Sequence, residues 1–221
     1  MDSRSHKKKA AIDALSFLEN GVDGLGVGTG STVNELIPFL PEYRDRISAV
    51  VSSSDVTTKL LSAAGFEVQP LNEVGTLDLY IDGADECTKH LDLMKGGGGA
   101  LTREKILAAA ARKFVCIADE SKLVGMLGQF PLPIEVIPMA RSYVSRQMIK
   151  MRGQPFFREG FTTDNGNEII DVHNLSIVNP REMEARISQI PGVVVTVGIF
   201  ANRGADVLLL GGPNGVRRLQ N

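Results

Sequence analysis

The sequence predicts an α/β fold: a Rossmann-like, mostly parallel sheet with helices on both faces, plus a smaller α+β domain inserted before the C-terminal strand. Three observations carry that expectation. Short apolar runs alternate with helical patterns from residue 22 to about 126, as strands joined by crossover helices do. Polar clusters follow four of those runs: "GTGST", "SSSD", "DGADE" and "ADESK". The texture then changes after "QFPLPIEVIP", where prolines 131, 133 and 138 mark a boundary. Residues 1–128 and 204–221 are therefore assigned to a large α/β domain, and residues 129–203 to a small α+β domain.

The first element is a helix over "HKKKAAIDALSFLEN". Ala11, Ile12, Leu15 and Leu18 share one face, and Gly21 is placed to cap the end. The lysines read as a solvated start rather than a signal peptide, because Asp13 interrupts the apolar stretch and no small-residue cleavage site appears. Strand "GLGVG" leads to a helix from Ser31, strand "ISAVVS" to a helix from Asp55, and "LDLYI" and "KFVCIA" supply two more strands. Past the boundary, "MARSYVSRQMIKM" is a helix, "TTDNGNEIIDV" a hairpin turning at Asn165-Gly166, "NPREMEARISQI" a helix and "GVVVTVGIF" a strand. The second of these helices has Asn179 as its N-cap, Pro180 in first position and Glu182 in a capping-box pattern. The closing run "ADVLLLGG" is apolar throughout, as a strand covered on both faces is, and rejoins the first sheet.

Composition narrows the function. Apolar residues at 43% and charged residues at 23% are near globular averages, which argues against disordered, fibrous and membrane classes. No apolar segment approaches the roughly 20 residues of a spanning helix. A net charge of −2 gives no general attraction to nucleic acid or an anionic membrane, so any anion site must be local. Cys87 and Cys116 form no CxxC pair, Cys116 in "FVCIA" reads as a small buried hydrophobe, and His6, His90 and His173 show no metal-site spacing. The expectation is a reduced, cytoplasmic protein with no metal site.

Parallel sheets bind ligands outside the carboxyl ends of their strands, so the four polar clusters converge on one crevice. In "GVGTGST" the glycines allow a sharp turn, and Ser31 and Thr32 offer hydroxyls and amides at a helix start, which suits a phosphomonoester. The pattern is neither GxGxxG nor a P-loop, and a turn of this kind is also common plain structure. In "IDGADE", Asp82 and Asp85 have the ordinary explanation of turn aspartates bonding their own backbone. Their place at a strand end, with Lys95 shortly downstream, favours a functional role. Paired aspartates also suit a metal, but no third or fourth ligand is evident, and Lys95 can supply the positive charge. In "KGGGGALTREK", Lys95 is a cation, Gly96 to Gly99 bring bare amides close to a ligand, and Thr102 begins a helix. Glu104 in its first turn either complements the helix dipole or takes a proton next to a carbonyl, a role worth roughly 10²–10⁴ in rate.

Taken in order, "GVGTGST", "SSSD", "DGADE", "KGGGGALTREK", "IADESK", "EVIPMAR" and "FANRGAD" resemble the type A family of ribose-5-phosphate isomerases across nearly the whole chain. The resemblance implies an aldose–ketose isomerase of the non-oxidative pentose phosphate pathway, interconverting ribose 5-phosphate and ribulose 5-phosphate without metal or organic cofactor. It implies that Glu104 is the base that moves a proton between carbons 1 and 2 through an enediolate. Asp82 matches the ring-opening residue, and Asp85 and Lys95 match positions that bind the sugar and polarise its oxygens. Thr29, Gly30, Ser31, Thr32 and Lys122 match substrate-binding positions. With Gly83, Ala84, Gly96, Gly97 and Gly98 they complete the candidate site. The resemblance also implies a homodimer or larger homo-oligomer. It departs at Gly99, where family runs often end in alanine, a change expected to loosen the loop slightly; "MDSRSHKKK" lies outside it. Two rival readings are an amino-sugar-phosphate isomerase or deaminase, which releases ammonia, and a sugar-phosphate-sensing module, which needs a DNA-binding domain or a partner.

Overall fold

A computed structural model describes residues 3–220, and all their side chains except those of residues 195 and 196. In chain order the first part comprises α1 (Ser3–Ala14), β1 (Val22–Val27), α2 (Ser31–Leu36), β2 (Ile47–Ser52), α3 (Asp55–Ala63), α4 (Leu71–Val74), β3 (Leu77–Asp82), β4 (Glu86–Cys87), β5 (Leu93–Met94), α5 (Leu101–Ala110) and β6 (Ala111–Asp119). There follow β7 (Leu132–Val136), α6 (Arg141–Lys150), β8 (Gln154–Phe157), β9 (Glu168–His173), α7 (Pro180–Ser188), β10 (Val193–Val197), β11 (Ile199–Phe200), β12 (Val207–Gly212) and β13 (Gly215–Gln220).

The main sheet has six strands in the order β13-β12-β6-β3-β1-β2, all parallel neighbours except the antiparallel β12–β13 pair. Its central strands are apolar on both faces because side chains alternate with period two and each face meets helices or a small sheet. In β6, Val115 and Ile117 pack with the α1 and α2 layer, while Phe114, Cys116 and Ala118 pack with Leu107 and Ala108 of α5. Cys116 is fully buried, in keeping with its apolar neighbourhood.

Between β6 and β12 the chain builds a second, antiparallel sheet in the order β10-β7-β9-β8, with its own core including Val144 and Met148 of α6 and Ile187 of α7. A short sheet, β11-β5-β4, joins the two units. Pro133 is within β7, so the prolines read as a boundary belong in part to a strand.

Several local expectations differ from the structure. The buried face of α1 is Ala10, Ala11 and Ala14, continued by Leu15 and Leu18 in a 3-10 turn; Ile12 lies off that stripe and is 45% exposed. Asn165 and Gly166 do turn the chain, with Gly166 N donating to Thr163 O. The arm paired with β9 is β8, however, and residues 161–163 are not a strand. "GVVVTVGIF" splits at Gly198 into β10 and β11, which join different sheets. The closing strand is followed by an unanticipated antiparallel partner, β13.

Candidate active site

Strand β1 lies between β2 and β3, and the crossovers that follow β1 and β3 lead away from one another. Such a switch point opens a crevice at the carboxyl rim. A cavity of about 160 Å³ is found there. The loop after β1 contributes Thr29, Gly30, Ser31 and Thr32, and the turn after β3 contributes Gly83, Ala84 and Asp85. Lys95, Gly96, Gly97, Gly98, Glu104 and Lys122 complete the wall, together with Lys7. The volume is below the roughly 300–1,000 Å³ of drug-sized ligand pockets, which favours a small metabolite over a dinucleotide. A larger hollow of about 300 Å³ near β2 and α5 is lined chiefly by apolar groups such as Val51, Val68, Leu71 and Leu107. Its Arg103 is ion-paired with Asp55, so it lacks the convergent polar groups of a reaction site.

Asp82 ends β3 and is fully buried, one layer behind the cavity wall rather than on it. Its carboxylate occupies the space where a Cβ at residue 28 would sit, 1.9 Å from Asp82 Cγ, so only glycine fits at Gly28. Asp82 Oδ1 accepts from Thr29 N at 3.1 Å and Gly83 N at 2.7 Å. Oδ2 accepts from the Tyr80 hydroxyl and lies 2.8 Å from Lys95 Nζ. Lys95 also donates to Gly83 O at 2.6 Å and lies 3.3 Å from Glu104 Oε1. Burial alone would lower the Lys95 pKa, but Asp82 and then Glu104 reverse the effect and raise it overall.

One cation thus sits between two buried carboxyl groups. Burial first, then repulsion from Asp82, outweighs the attraction of Lys95 and pushes Glu104 up from 4.5 to about 8. Its Oε2 is buried and has no hydrogen-bond partner among the described residues. A carboxyl group on a cavity wall with one oxygen held by an ammonium and the other unpartnered is set up to exchange a proton with a ligand. Among the described residues no cluster of three or more His, Cys, Asp or Glu can hold a metal, and no helix is long and apolar enough to cross a membrane.

The glycine loop is less open than its sequence suggests. Gly97 N donates to Asp85 Oδ2 at 2.8 Å and Gly99 N to Gly96 O at 2.9 Å, so these two amides are already engaged. Gly99 has φ +81°, and a Cβ there would lie 2.1 Å from Phe161 Cζ, so this glycine admits an aromatic ring rather than merely loosening the chain. Arg158, paired with both oxygens of Asp171, donates to the carbonyls of Gly96 and Gly97 at 3.2 Å each.

Lys7 was not foreseen. The lysine run is no plain solvated start: Lys7 Nζ donates to Ser31 Oγ at 3.1 Å, and Lys9 Nζ to Gly212 O at 2.9 Å. Lys7, held at Ser31, and Lys122 therefore bring two further cations to the wall of the cavity. A polar–apolar alternation in "SHKKKAAIDA" carries no sign of this, because the contact depends on how α1 lies over the rim of the sheet.

A family model described as ribose 5-phosphate isomerase A (phosphoriboisomerase A) matches residues 49–215. The fold superposes on ribose 5 phosphate isomerase A from Neisseria gonorrhoeae with a TM-score of 0.95 and 47% identity, covering 99% of this chain and 97% of that one. The chain belongs to the ribose 5-phosphate isomerase A family. The isomerase of Methanocaldococcus jannaschii superposes with a TM-score of 0.93 at 37% identity, and a D-ribose-5-phosphate isomerase in complex with phospho-erythronic acid with 0.94 at 36%; both chains are covered completely in each case. The protein is accordingly a ribose 5-phosphate isomerase, and the reaction of its family is the aldose–ketose isomerisation of that sugar phosphate.

Proposed function

We infer that Glu104 is the base of this isomerisation, interconverting ribose 5-phosphate and ribulose 5-phosphate through an enediolate. The observation that carries the reading is the buried Oε2 of Glu104, without a partner among the described residues, in a cavity also lined by Lys7 and Lys122. In the open-chain aldose, Glu104 takes the proton from carbon 2, and the C–H electron pair forms the C1–C2 double bond as charge moves to the carbonyl oxygen. Return of the proton to carbon 1, with transfer of the carbon-2 hydroxyl proton to the carbon-1 oxygen, gives the ketose; no external oxidant or reductant enters. Lys95, fixed by Asp82 and Gly83 O, supplies the preorganised positive charge for the enediolate oxygens. Asp82, one layer back, contributes to ring opening through its hold on Lys95. Asp85 and the loop at Gly96–Gly98 shape the sugar end, and Thr29 to Thr32 with Lys7 and Lys122 receive the phosphate.

A relative solved in complex with phospho-erythronic acid supports a ligand of this chemical class. That acid joins a phosphate to a planar carboxylate, which presents two oxygens much as an enediolate does. The test is ketose formation from ribose 5-phosphate with a chelator present, alongside an ammonia assay on glucosamine 6-phosphate. Turnover of the first and silence in the second is expected. Ammonia release without ketose formation would overturn the reading.

A further inference from the structure

The helix that carries Glu104 begins without a cap of its own. Ala100 in the N-cap position offers no side-chain acceptor, and four glycines precede it, so no cap fixes the first turn of α5. Three of its first five residues are instead held by the second unit. Thr102 Oγ1 donates to Glu135 Oε2 at 2.5 Å. Arg103 donates to Asn165 Oδ1 at 3.0 Å and to Asp164 O at 2.7 Å. Lys105 Nζ donates to Glu184 Oε1 at 2.7 Å and to the carbonyls of Val197 and Ile199. Of these contacts, the one between Thr102 and Glu135 is the most deeply buried, with Glu135 0% and Thr102 8% exposed.

Glu135 is in the middle of β7, and its Oε1 takes three more donors: Thr163 Oγ1 at 2.8 Å, Asn165 Nδ2 at 3.1 Å and Asn167 Nδ2 at 2.9 Å. These four donors are neutral. Burying a carboxylate in mid-strand is costly unless donors saturate it, and an apolar residue would fill a core strand position without that cost. What the carboxylate achieves is a junction: strand β7, the turn at residues 163–167 and the first turn of α5 all meet on one side chain.

Thr102 and Glu104 are two residues apart, about 200° around the helix, so one faces the second sheet while the other faces the cavity. We propose that Glu135, acting through Thr102, is a positioning residue that sets the rotation of α5 and so aims Glu104 into the cavity; this rests on the reading of Glu104 as the base. Side-chain ends lie about 5–6 Å from a helix axis, so a rotation of about 10° moves the carboxylate by about 1 Å. A misplacement of that size can cost about 10²-fold in rate.

Thr102→Val keeps the side-chain volume and removes the donor. Its kcat on ribose 5-phosphate should fall by about 10- to 100-fold with KM within about twofold, and Thr102→Ser should restore it. In a Glu104→Gln background the same change should cost no further turnover, because the contact works only through Glu104. Thr102→Ala, which asks the site to accept no new methyl group, carries the same comparison if the valine variant does not fold. Parent-like kcat in either folded variant, a loss confined to KM, or a full additional loss on top of Glu104→Gln would overturn the positioning role. An active Glu104→Gln would strike the base reading instead, so the two failures are told apart.

Discussion

Replacing Glu104 by Gln removes one titratable oxygen while keeping the side chain's length and its contact with Lys95. The wild-type carboxyl has Oε1 3.3 Å from the ammonium and Oε2 buried without a partner among the described residues. The amide can still occupy that geometry but cannot accept a proton from carbon. Loss of a positioned general base costs about 10²–10⁴ in kcat, or about 3–5 kcal/mol of barrier. Binding should change little, because Lys7, Lys122 and Ser31 on the cavity wall are untouched. The same carboxyl also sets a pH signature. With a pKa pushed up to about 8, only about a tenth of the free enzyme has the base ionised at pH 7, so parent kcat/KM should climb as pH rises through about 8. The assay is initial-rate ketose formation between pH 6 and 9, with calorimetric titration of a non-reacting sugar phosphate as the binding control. A Gln variant within tenfold of parent kcat would refute the reasoning, as would a parent profile already flat from pH 6 upward.

The same titration reaches stability. Between the unfolded value of 4.5 and about 8, the folded chain holds a proton at Glu104 that the unfolded chain has lost, so this group's contribution falls as pH rises across that window. Glu104→Gln should therefore gain on the parent in denaturant melts from pH 5 to 9, by on the order of a few kcal/mol; a constant difference would count against the shifted pKa. Lys7→Ala and Lys122→Ala should each raise KM for ribose 5-phosphate by roughly tenfold, with smaller effects on kcat and a penalty that shrinks in high salt. Unchanged KM in both would remove the phosphate from that part of the cavity wall. Gly99→Ala should destabilise by about 1–3 kcal/mol because both φ and the Phe161 ring oppose a Cβ. Adding Phe161→Ala should recover much of that loss, and an undiminished melting temperature in the single variant would show that the ring yields freely.

Much of the site was legible because its chemistry is concentrated where the chain leaves strands. Asp82, Asp85, Lys95 and Glu104 fall within one short stretch, and strand-end logic places that stretch beside Thr29–Thr32 without any knowledge of packing. What escaped depends on tertiary approach. Lys7 looks like its neighbours in a run of three lysines, and only the seating of α1 over the sheet, with Lys9 bound to Gly212 O, turns it inward. Glu135 stands in "LPIEV" as a lone acid among apolar residues, a conflict of pattern that signals a buried polar junction, yet its partners at 102 and 163–167 are remote in sequence. Strands β8 and β13 were missed because "QPFF" and "GVRRLQ" are mostly exposed edge strands without a clean alternation. The depth of Asp82 was hidden too: a turn aspartate and one tucked behind a lysine are spelled alike.

Strand β6 ends at Asp119, yet its parallel neighbour β12 does not begin until Val207. On the ribosome, at about 5–20 residues per second, the residues proposed for catalysis are all synthesised several seconds before the strand that covers this open margin. During that interval the apolar run "FVCIA" presents unpaired backbone to whatever is nearby. A nascent chain of this topology is thus exposed to mispairing until β12 is made, and deleting that strand endangers solubility before it touches chemistry.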